Sequence, residues 1–395
     1  MSQVHESETP EDKVVEILSR LPSKSLMRFK CIRKSWCTLI NGPSFVAKHL
    51  NNSVDNKRSS NTCILLNRSQ MPVFPDNSWK YEVFWSMISL SIDSDEHNLH
   101  YDVEDLNIPF PMEDHHPVVI HGHCNGIVCV ITGKNVVLCN PAIGEFRQLP
   151  DCLVLPLPNI KFQLETSFGG LGFGYDCKAK EYKVVRITEN CEYSDAERTY
   201  YHRIDLPHTA QVYTTTANSW KEIKIDISSK SYLDSCPVYL KGFCYWIAND
   251  GEEFILSFDL SDEIFHRIQM PLGRESSLQF CNLFLYNESL ACFCSLYGPS
   301  GNSRLFEIFE IWVMDDYHGV KSSWTKLLAI GPFKHNENPL TFWKSDEFLM
   351  VTSDRRVTSY NSSTGNLKYL LIPPIMNEVI DLQALIYVES IVPVN

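Results

Sequence analysis

VVLCNPAIGEFRQLP, residues 136–150, reads as an apolar strand, a turn built on Asn140-Pro141 and Gly144-Glu145, and a second strand entered by Phe146. The same pattern returns in AQVYTTTANSWKEIKID (210–226), ILSFDLSDEIFHRIQMP (255–271), IWVMDDYHGVKSSWTKLL (311–328) and VTSYNSSTGNLKYLLIPP (357–374). The large apolar residues that open the second strands, Phe146, Trp220, Phe265, Trp324 and Leu367, follow one another at intervals of 74, 45, 59 and 43 residues. Hairpins that recur at roughly 40 to 50 residues predict propeller blades, because each blade can bury its faces only against its neighbours. A two-sheet β-sandwich also gives short strands and regular turns and stays open as the alternative. The 345 residues beyond position 50 are long for one sandwich.

Upstream the period changes. TPEDKVVEILSRLP (9–22) carries a helix start: Thr9 can cap, Pro10 suits the first helical position, and Asp12 stands at the acid position of a capping box. Val14, Val15, Ile17, Leu18 and Leu21 follow at helical spacing, and Pro22 ends the run. SKSLMRFKCIRKSW (23–36) sets Leu26, Phe29 and Ile32 against basic residues and continues through Trp36, Leu39 and Ile40 to Gly42-Pro43. Two or three short helices in about 40 residues are too few to be self-sufficient, so a partner is expected. NNSVDNKRSSNT (51–62), polar and nearly free of apolar side chains, is expected to be a linker. The overall expectation is an α+β multidomain chain: a helical domain at 8–50, the linker at 51–62, and a mostly-β domain at 63–395.

The 395 residues carry a formal charge of −13, yet residues 1–50 hold eight basic and five acidic side chains, which leaves −16 for everything downstream. Nucleic acid and anionic membrane are excluded as electrostatic partners, and a basic protein is favoured. The N-terminus lacks a signal-peptide h-region, and no apolar run approaches roughly 18 residues, so a soluble cytoplasmic chain is expected. The 14 cysteines then read as buried reduced thiols.

Four stretches invite a chemical reading. HGHCNGIVC (121–129) crowds two histidines and two cysteines, but Asn125-Gly126 between apolar runs is a hairpin turn, and Cys124 and Cys129 lack zinc-site spacing. GGLGFGYD (169–176) is followed by a strand pattern rather than a helix, so its glycines signal close packing or a bulge, not a phosphate loop. Residues 92–116 hold eight carboxylates, four histidines and no Lys or Arg. They read as an acidic loop, with a His97 and His100 metal site as a lesser reading and a rim for a basic protein as the functional one. The candidate substrate-binding acids are Asp93, Asp95, Glu96, Asp102, Glu104, Asp105, Glu113 and Asp114, extended by Glu192 and Asp195 and by DGEEFILSFDLSDE (250–263). The tips near Glu189 to Arg198 and Tyr297 to Arg304 are further candidates. No catalytic constellation, metal set or cofactor motif stands out, so the chain is expected to be non-catalytic and to need no cofactor.

EILSRLPSKSLMRFKCIRKSWCTLINGPSF (16–45) resembles the plant F-box through Leu21-Pro22, Lys24-Ser25-Leu26 and Cys31 with Lys34-Ser35-Trp36. Downstream, Gly122-x-Cys124-Asn125-Gly126, Asn140-Pro141 with Gly144-Glu145, and Gly172-Phe173-Gly174-Tyr175-Asp176 resemble the kelch-like F-box-associated domain. FWSMISLSIDSDEHNLHYDVEDL (84–106), KGFCYW (241–246), NPLTFWKSDE (338–347) and LQALIYVESIV (382–392) resemble the S-locus F-box group of pollen. The resemblance implies a substrate receptor of an SCF-type cullin-RING ubiquitin ligase that recognises non-self S-ribonucleases in self-incompatibility. Pro10, Val14, Ile17, Leu18, Leu21, Pro22 and Leu26, with Phe29 and Trp36, would hold a Skp-type adaptor, and through it cullin and RING subunits. The chain departs from the F-box pattern at Thr9, where leucine is usual, and at Lys13, where an aliphatic residue is usual. These departures motivate a second reading, a recognition module that sequesters a basic partner. A third, a propeller hydrolase or oxidase, would need His121, His123 and Cys124 to converge with residues of other blades.

Overall fold

The computed structural model describes residues 10–59, 62–70, 82–92, 99–108, 110, 117–153, 157, 160–161, 163–193, 203–233, 237–272, 278–297, 306–315, 323–334, 337–354, 356–372 and 379–394. Its strands form six antiparallel sheets, the blades of a propeller, which decides against the two-sheet alternative. Blade I runs outward from the axis as β25 (Val379–Tyr387), β1 (Thr62–Gln70), β2 (Glu82–Ile92) and β3 (Leu99–Leu106). Blade II is β4 (Val118–Cys124), β5 (Ile127–Thr132), β6 (Asn135–Asn140) and β7 (Glu145–Gln148). Blade III is β8 (Gln163–Asp176), β9 (Glu181–Tyr193), β10 (Arg203–Thr214) and β11 (Ser219–Ile223). Blade IV sets β12 (Tyr232–Leu233) and β13 (Val238–Leu240) on β14 (Phe243–Asn249), then β15 (Glu253–Asp259) and β16 (Ile264–Gln269). Blade V is β17 (Leu278–Tyr286), β18 (Ser289–Tyr297), β19 (Phe306–Met314) and β20 (Trp324–Lys334). Blade VI is β21 (Asn338–Phe342), β22 (Glu347–Val351), β23 (Val357–Asn361) and β24 (Leu367–Tyr369).

Inner strands such as IVCVIT are buried at every position, and apolar at all but Thr132, because both of their faces are covered. Alternate residues serve opposite neighbours. Val128 and Val130 of β5 pack toward blade I with Leu65 and Trp85, whereas Ile127, Cys129 and Ile131 pack toward blade III with Leu171 and Phe173. Ile64 and Leu66, on the other face of β1, meet Trp343 and Leu349 of blade VI, so the ring of interfaces is closed. The five repeated hairpins are the outer strand pairs of blades II to VI, with Phe146, Trp220, Phe265, Trp324 and Leu367 on the outermost strands. Blade I breaks the repeat, since its inner strand comes from the C-terminus and its second strand from the other end of the chain.

Among the described residues the helical region holds four helices: α1 (Pro10–Leu18), α2 (Ser23–Phe29), α3 (Lys34–Asn41) and α4 (Pro43–Ser59). Two expectations need correction. The second amphipathic segment is interrupted, because Arg33 is extended (φ −157°) and the chain turns before α3, letting Phe29 and Trp36 pack with ring centroids 5.6 Å apart. The stretch expected to be a linker is helical through Ser59: Gly42-Pro43 end α3 as expected, but Pro43 also opens α4, where its fixed φ and missing N–H cost nothing. No helix among the described residues is long and apolar enough to cross a membrane.

Candidate functional site

Leu18, Leu26, Ile40 and Phe45 form the buried centre of the helical region, and Ile391 of the C-terminal tail joins them, with Ile143 of the β6–β7 turn packed alongside. The helices are therefore bolted to the ring. Two polar contacts reinforce the joint: Lys24 pairs with Glu104 of β3, and the Ser23 amide donates to Glu389 at the start of α2; within the module, Glu16 ties Lys48 of α4 (2.6 Å) to Arg20 (2.7 Å). Inside, His49 Nε2 donates to the Leu21 carbonyl at 3.0 Å, and burial pushes its imidazole pKa down.

This packing sorts the nine residues expected to hold an adaptor. Leu18 and Leu26 are buried in the module's own centre and cannot also be a contact surface. Val14, Leu21, Phe29 and Trp36 are half-buried against that centre, and Pro22 is exposed. Ile17 is 63% exposed, and Ile32, not among the nine, is 60% exposed. The Pro10 side chain lies outside the described ones. Lys13 is exposed, so its ammonium is hydrated in the free chain.

The motifs that mark the β-domain turn out to be joints of the ring. Asn125 (φ 54°) and Gly126 (φ 83°) make the two-residue turn between β4 and β5. A side chain at Gly126 would overlap Ser390, whose hydroxyl donates to the Asn125 carbonyl at 2.6 Å, while the Tyr387 hydroxyl donates to the Gly126 carbonyl at 3.0 Å. Asn140 of the Asn-Pro pair donates to the carbonyls of Ser390 and Val392, each at 3.0 Å. Both turns thus clamp the C-terminal tail. Gly172 and Gly174 let blade IV approach: a Cβ at Gly172 would stand 2.6 Å from Trp246 Cζ2, and one at Gly174 would overlap the Tyr239 ring. A register shift between Phe168 and Gly170 adds the expected bulge.

Asp176, the last residue of that motif, is buried with Lys183 (2.9 Å), and its other oxygen accepts from Ser261 (2.7 Å) and from the Lys178 and Ala179 amides. Burial pushes its carboxyl up, but these hydrogen bonds outweigh burial and hold it at about 2. Lys183 also reaches Glu263 at 3.0 Å, and Glu263 reaches Lys221 at 2.6 Å, a bridge from blade III to blade IV.

No nucleophile emerges at HGHCNGIVC. Burial pushes the Cys124 thiol up to about 12 and raises Cys129 as well, so neither is a thiolate at neutral pH. His121 is buried on β4, and a register shift between Ile120 and His123 interrupts simple alternation.

The acidic candidates scatter. Asp93, Asp95, Glu96, Glu113, Asp114 and Asp195 lie outside the described residues, as do His97, Arg198 and 298–305. The supposed loop contains β3, where Leu99, Tyr101, Val103 and Leu106 turn inward and Asp102 and Glu104 outward. The flanking strands also divide the run. β2 and β3 meet where α4 enters β1, since Thr62 stands opposite Leu90, whereas β3 leaves at the other end, where Trp85 stands opposite Leu106. Glu104 is taken by Lys24, and Asp105 accepts from Ser86 (2.6 Å) and Arg68 (3.3 Å). Glu192 is 3% exposed and accepts from the Lys161 amide at 3.0 Å, which makes it structural rather than a rim residue. The extension at 250–263 is likewise spent internally, with Asp250 on Arg267, Asp262 on Lys178, and Glu263 on the two lysines. Glu189 is half-buried on β9, and burial raises its pKa. Asp102 is an exposed acid on the outward face of β3.

Sequence reading also missed the axis. A cavity of about 1250 Å³ opens between the inner strands, lined by Tyr239, Phe284, Phe342, Trp343, His123 and Gln383 among others. Its lining is drawn from five blades, so no local pattern announces it. Gln383 spans β25 and β4 there, accepting from the Ile120 amide (2.7 Å) and donating to the Ile120 carbonyl (3.0 Å).

Comparison with known proteins agrees with this architecture. An Arabidopsis thaliana protein named for an F-box is 30% identical over 326 residues, covering 81% of this chain and 64% of the relative, so the chain spans less than two thirds of that protein. An F-box/kelch-repeat protein of Arabidopsis thaliana is 27% identical over 401 residues, covering 98% of this chain and 96% of the relative. The family described as F-box associated beta propeller domain matches residues 81–394. The chain belongs to the F-box associated β-propeller family.

Proposed function

We propose that the chain is the substrate-recognition subunit of an SCF-type cullin-RING ubiquitin ligase, with the helices holding a Skp-type adaptor and the propeller holding the substrate. One observation carries the reading: a small helical module leaves Ile17 and Ile32 in solvent while sharing its buried centre with the ring through Ile143 and Ile391. A rigid joint of this kind keeps a substrate on the ring at high effective concentration near the ubiquitin thioester of a conjugating enzyme bound elsewhere in the assembly. The F-box and kelch-repeat names of the relatives support the same assignment. On this reading the chain positions partners and the transfer chemistry belongs to other subunits.

The finer proposal is that the substrate is a basic protein, an S-ribonuclease of the pistil, recognised in the cytoplasm of pollen. The charge of −16 beyond residue 50 and the resemblance of 84–106 and 382–392 to the S-locus group support it. Exposed acids such as Asp102 would steer the encounter more than they set the final affinity. Lys13 keeps the sequestration reading in play, since an adaptor covering α1 must leave its ammonium in water.

The test is reconstitution with adaptor, cullin, RING subunit, conjugating enzyme and a panel of basic ribonucleases. Receptor-dependent ubiquitin ladders on at least one ribonuclease, weakening as salt rises, are expected. Adaptor capture without any ladder would remove the ribonuclease assignment, and ribonuclease binding without adaptor capture would make sequestration the function.

A further inference from the structure

Blade V carries three cysteines on one face of its inner strands. Cys281 of β17 stands directly opposite Cys294 of β18, and Cys292 lies two residues from Cys294, so the three side chains leave the sheet on one side. Their sulfurs converge. The Cys281 and Cys294 Sγ atoms are 2.8 Å apart, those of Cys292 and Cys294 are 3.5 Å apart, and all three lie within 4.8 Å of one another. None of the three residues is more than 5% exposed. Among the described residues, no other group of three or more His, Cys, Asp or Glu brings its ligand atoms together this closely.

The cluster sits between blades IV and V, against Ile247, with Met270, Leu283, Trp312 and Trp324 around it. A single buried cysteine is a small hydrophobe and needs no explanation. Three that aim their sulfurs at one point form a ligand set. We propose that Cys281, Cys292 and Cys294 form a thiolate site for a soft divalent metal ion, with zinc(II) as the occupant.

Zinc binds thiolate sulfur at about 2.3 Å in a tetrahedron, which sets neighbouring sulfurs about 3.8 Å apart. The Cys292 and Cys294 sulfurs, at 3.5 Å, are already near that spacing. The Cys281 and Cys294 sulfurs must separate by about 1 Å, which small side-chain rotations supply. Glu310 of β19 stands opposite Cys294, but its carboxylate accepts from Trp312 Nε1 at 3.1 Å, pairs with Lys326 and is not one of the groups that converge, so the three sulfurs are the ligand set. Binding forms three zinc–sulfur bonds and releases three thiol protons to solvent, with no electron transferred. Buried from water, the ion would cross-link β17 to β18 and stabilise blade V, as a structural rather than a catalytic metal.

The test uses the full chain purified under reducing conditions from zinc-supplemented cells. The proposal expects about one zinc per chain, retained against a chelator in the folded protein and released on unfolding. Replacing it with cobalt(II) should give a sulfur-to-cobalt charge-transfer band, and X-ray absorption on the intact protein should count three sulfurs around the metal. Cys292→Ser and Cys294→Ser should each weaken retention about tenfold or more, since even outer partners of metal ligands matter that much. The exposed Cys31→Ser and Cys177→Ser changes should leave retention unchanged. Zinc absent from the intact chain, fewer than three sulfurs around it, or equal retention by a folded Cys281→Ser, Cys292→Ser, Cys294→Ser variant would overturn the proposal. So would a Cys281 to Cys294 disulfide found in the reduced protein by peptide mass. Should the triple variant fail to fold, the sulfur count on the intact chain still decides.

Discussion

The helical module and the ring behind it are stabilised by unequal means. Five buried apolar residues make the module's centre, and one of them, Ile391, belongs to the ring's tail. The single interface between blades I and II buries twelve. Poor as it is in buried surface, the module still leaves Ile17 and Ile32 outside. On the proposed reading, the module leans on the ring for its fold and keeps part of its apolar surface for a partner.

The largest test removes what both regions share. Deleting residues 379–395 takes the inner strand of blade I, the tail clamped by Asn125 and Asn140, and Ile391 from beneath the helices. The loss should match the whole stability of a typical domain, about 5–15 kcal/mol, and a thermal melt should lose its cooperative transition. Retention of that transition would show that the ring does not need its closing strand.

Leu26→Ala should cost about 2–5 kcal/mol by opening a cavity in a fully buried site, read from chemical denaturation. Ile391→Ala, made in the ring, should speed amide exchange in α1 and α2 as well as in the tail. Protection of the helices unchanged in that variant would mean that the module holds itself together.

Acid should divide the two regions further. Asp176 has its pKa lowered to about 2 in the folded ring, against about 4 in an unfolded chain. Its contribution is therefore complete above pH 4 and is lost as pH falls toward 2; Asp176→Asn should remove that part of the acid sensitivity at the joint of blades III and IV. His49 in the module acts at higher pH. Its pKa is pushed below the usual histidine value, so the unfolded chain takes up the proton first and stability declines as pH falls through about 6.5. His208 of blade III shares that direction, so the readout must be local. Hydrogen exchange near His49 should quicken between pH 7 and 5 in the native chain and lose that dependence in His49→Gln.

Five of the six blades were legible because the third and fourth strands of each are consecutive and joined by a turn with its own chemistry, as in Asn140-Pro141 with Gly144-Glu145. Blade I was not, because its inner strands lie some three hundred residues apart in sequence and its outer strand, HYDVED, looked like an acidic loop. The alternation was present at Leu99, Tyr101 and Val103. Charge count hid it, although charges on the outward face of an edge strand are a normal protection against unwanted pairing. Gly172 and Gly174 signal close packing in the sequence, and Trp246 and Tyr239 supply it. The adaptor residues were harder to sort, since helical spacing names the apolar positions without saying which face meets the ring and which meets solvent. The same limit hid the convergence of Cys281 with Cys292 and Cys294, which only pairing of β17 with β18 creates.

The central claim is that the module's exposed apolar surface is an adaptor site on a ring that stays intact without it. Ile17→Asp tests it most directly, by calorimetric titration of the Skp-type adaptor into the intact chain and the variant, with a thermal melt of each. The account predicts that the intact chain binds, that the variant loses about thirtyfold or more in affinity, and that its stability changes by no more than about 0.5 kcal/mol. Equal affinity in the two chains, or no binding by the intact chain, would contradict it.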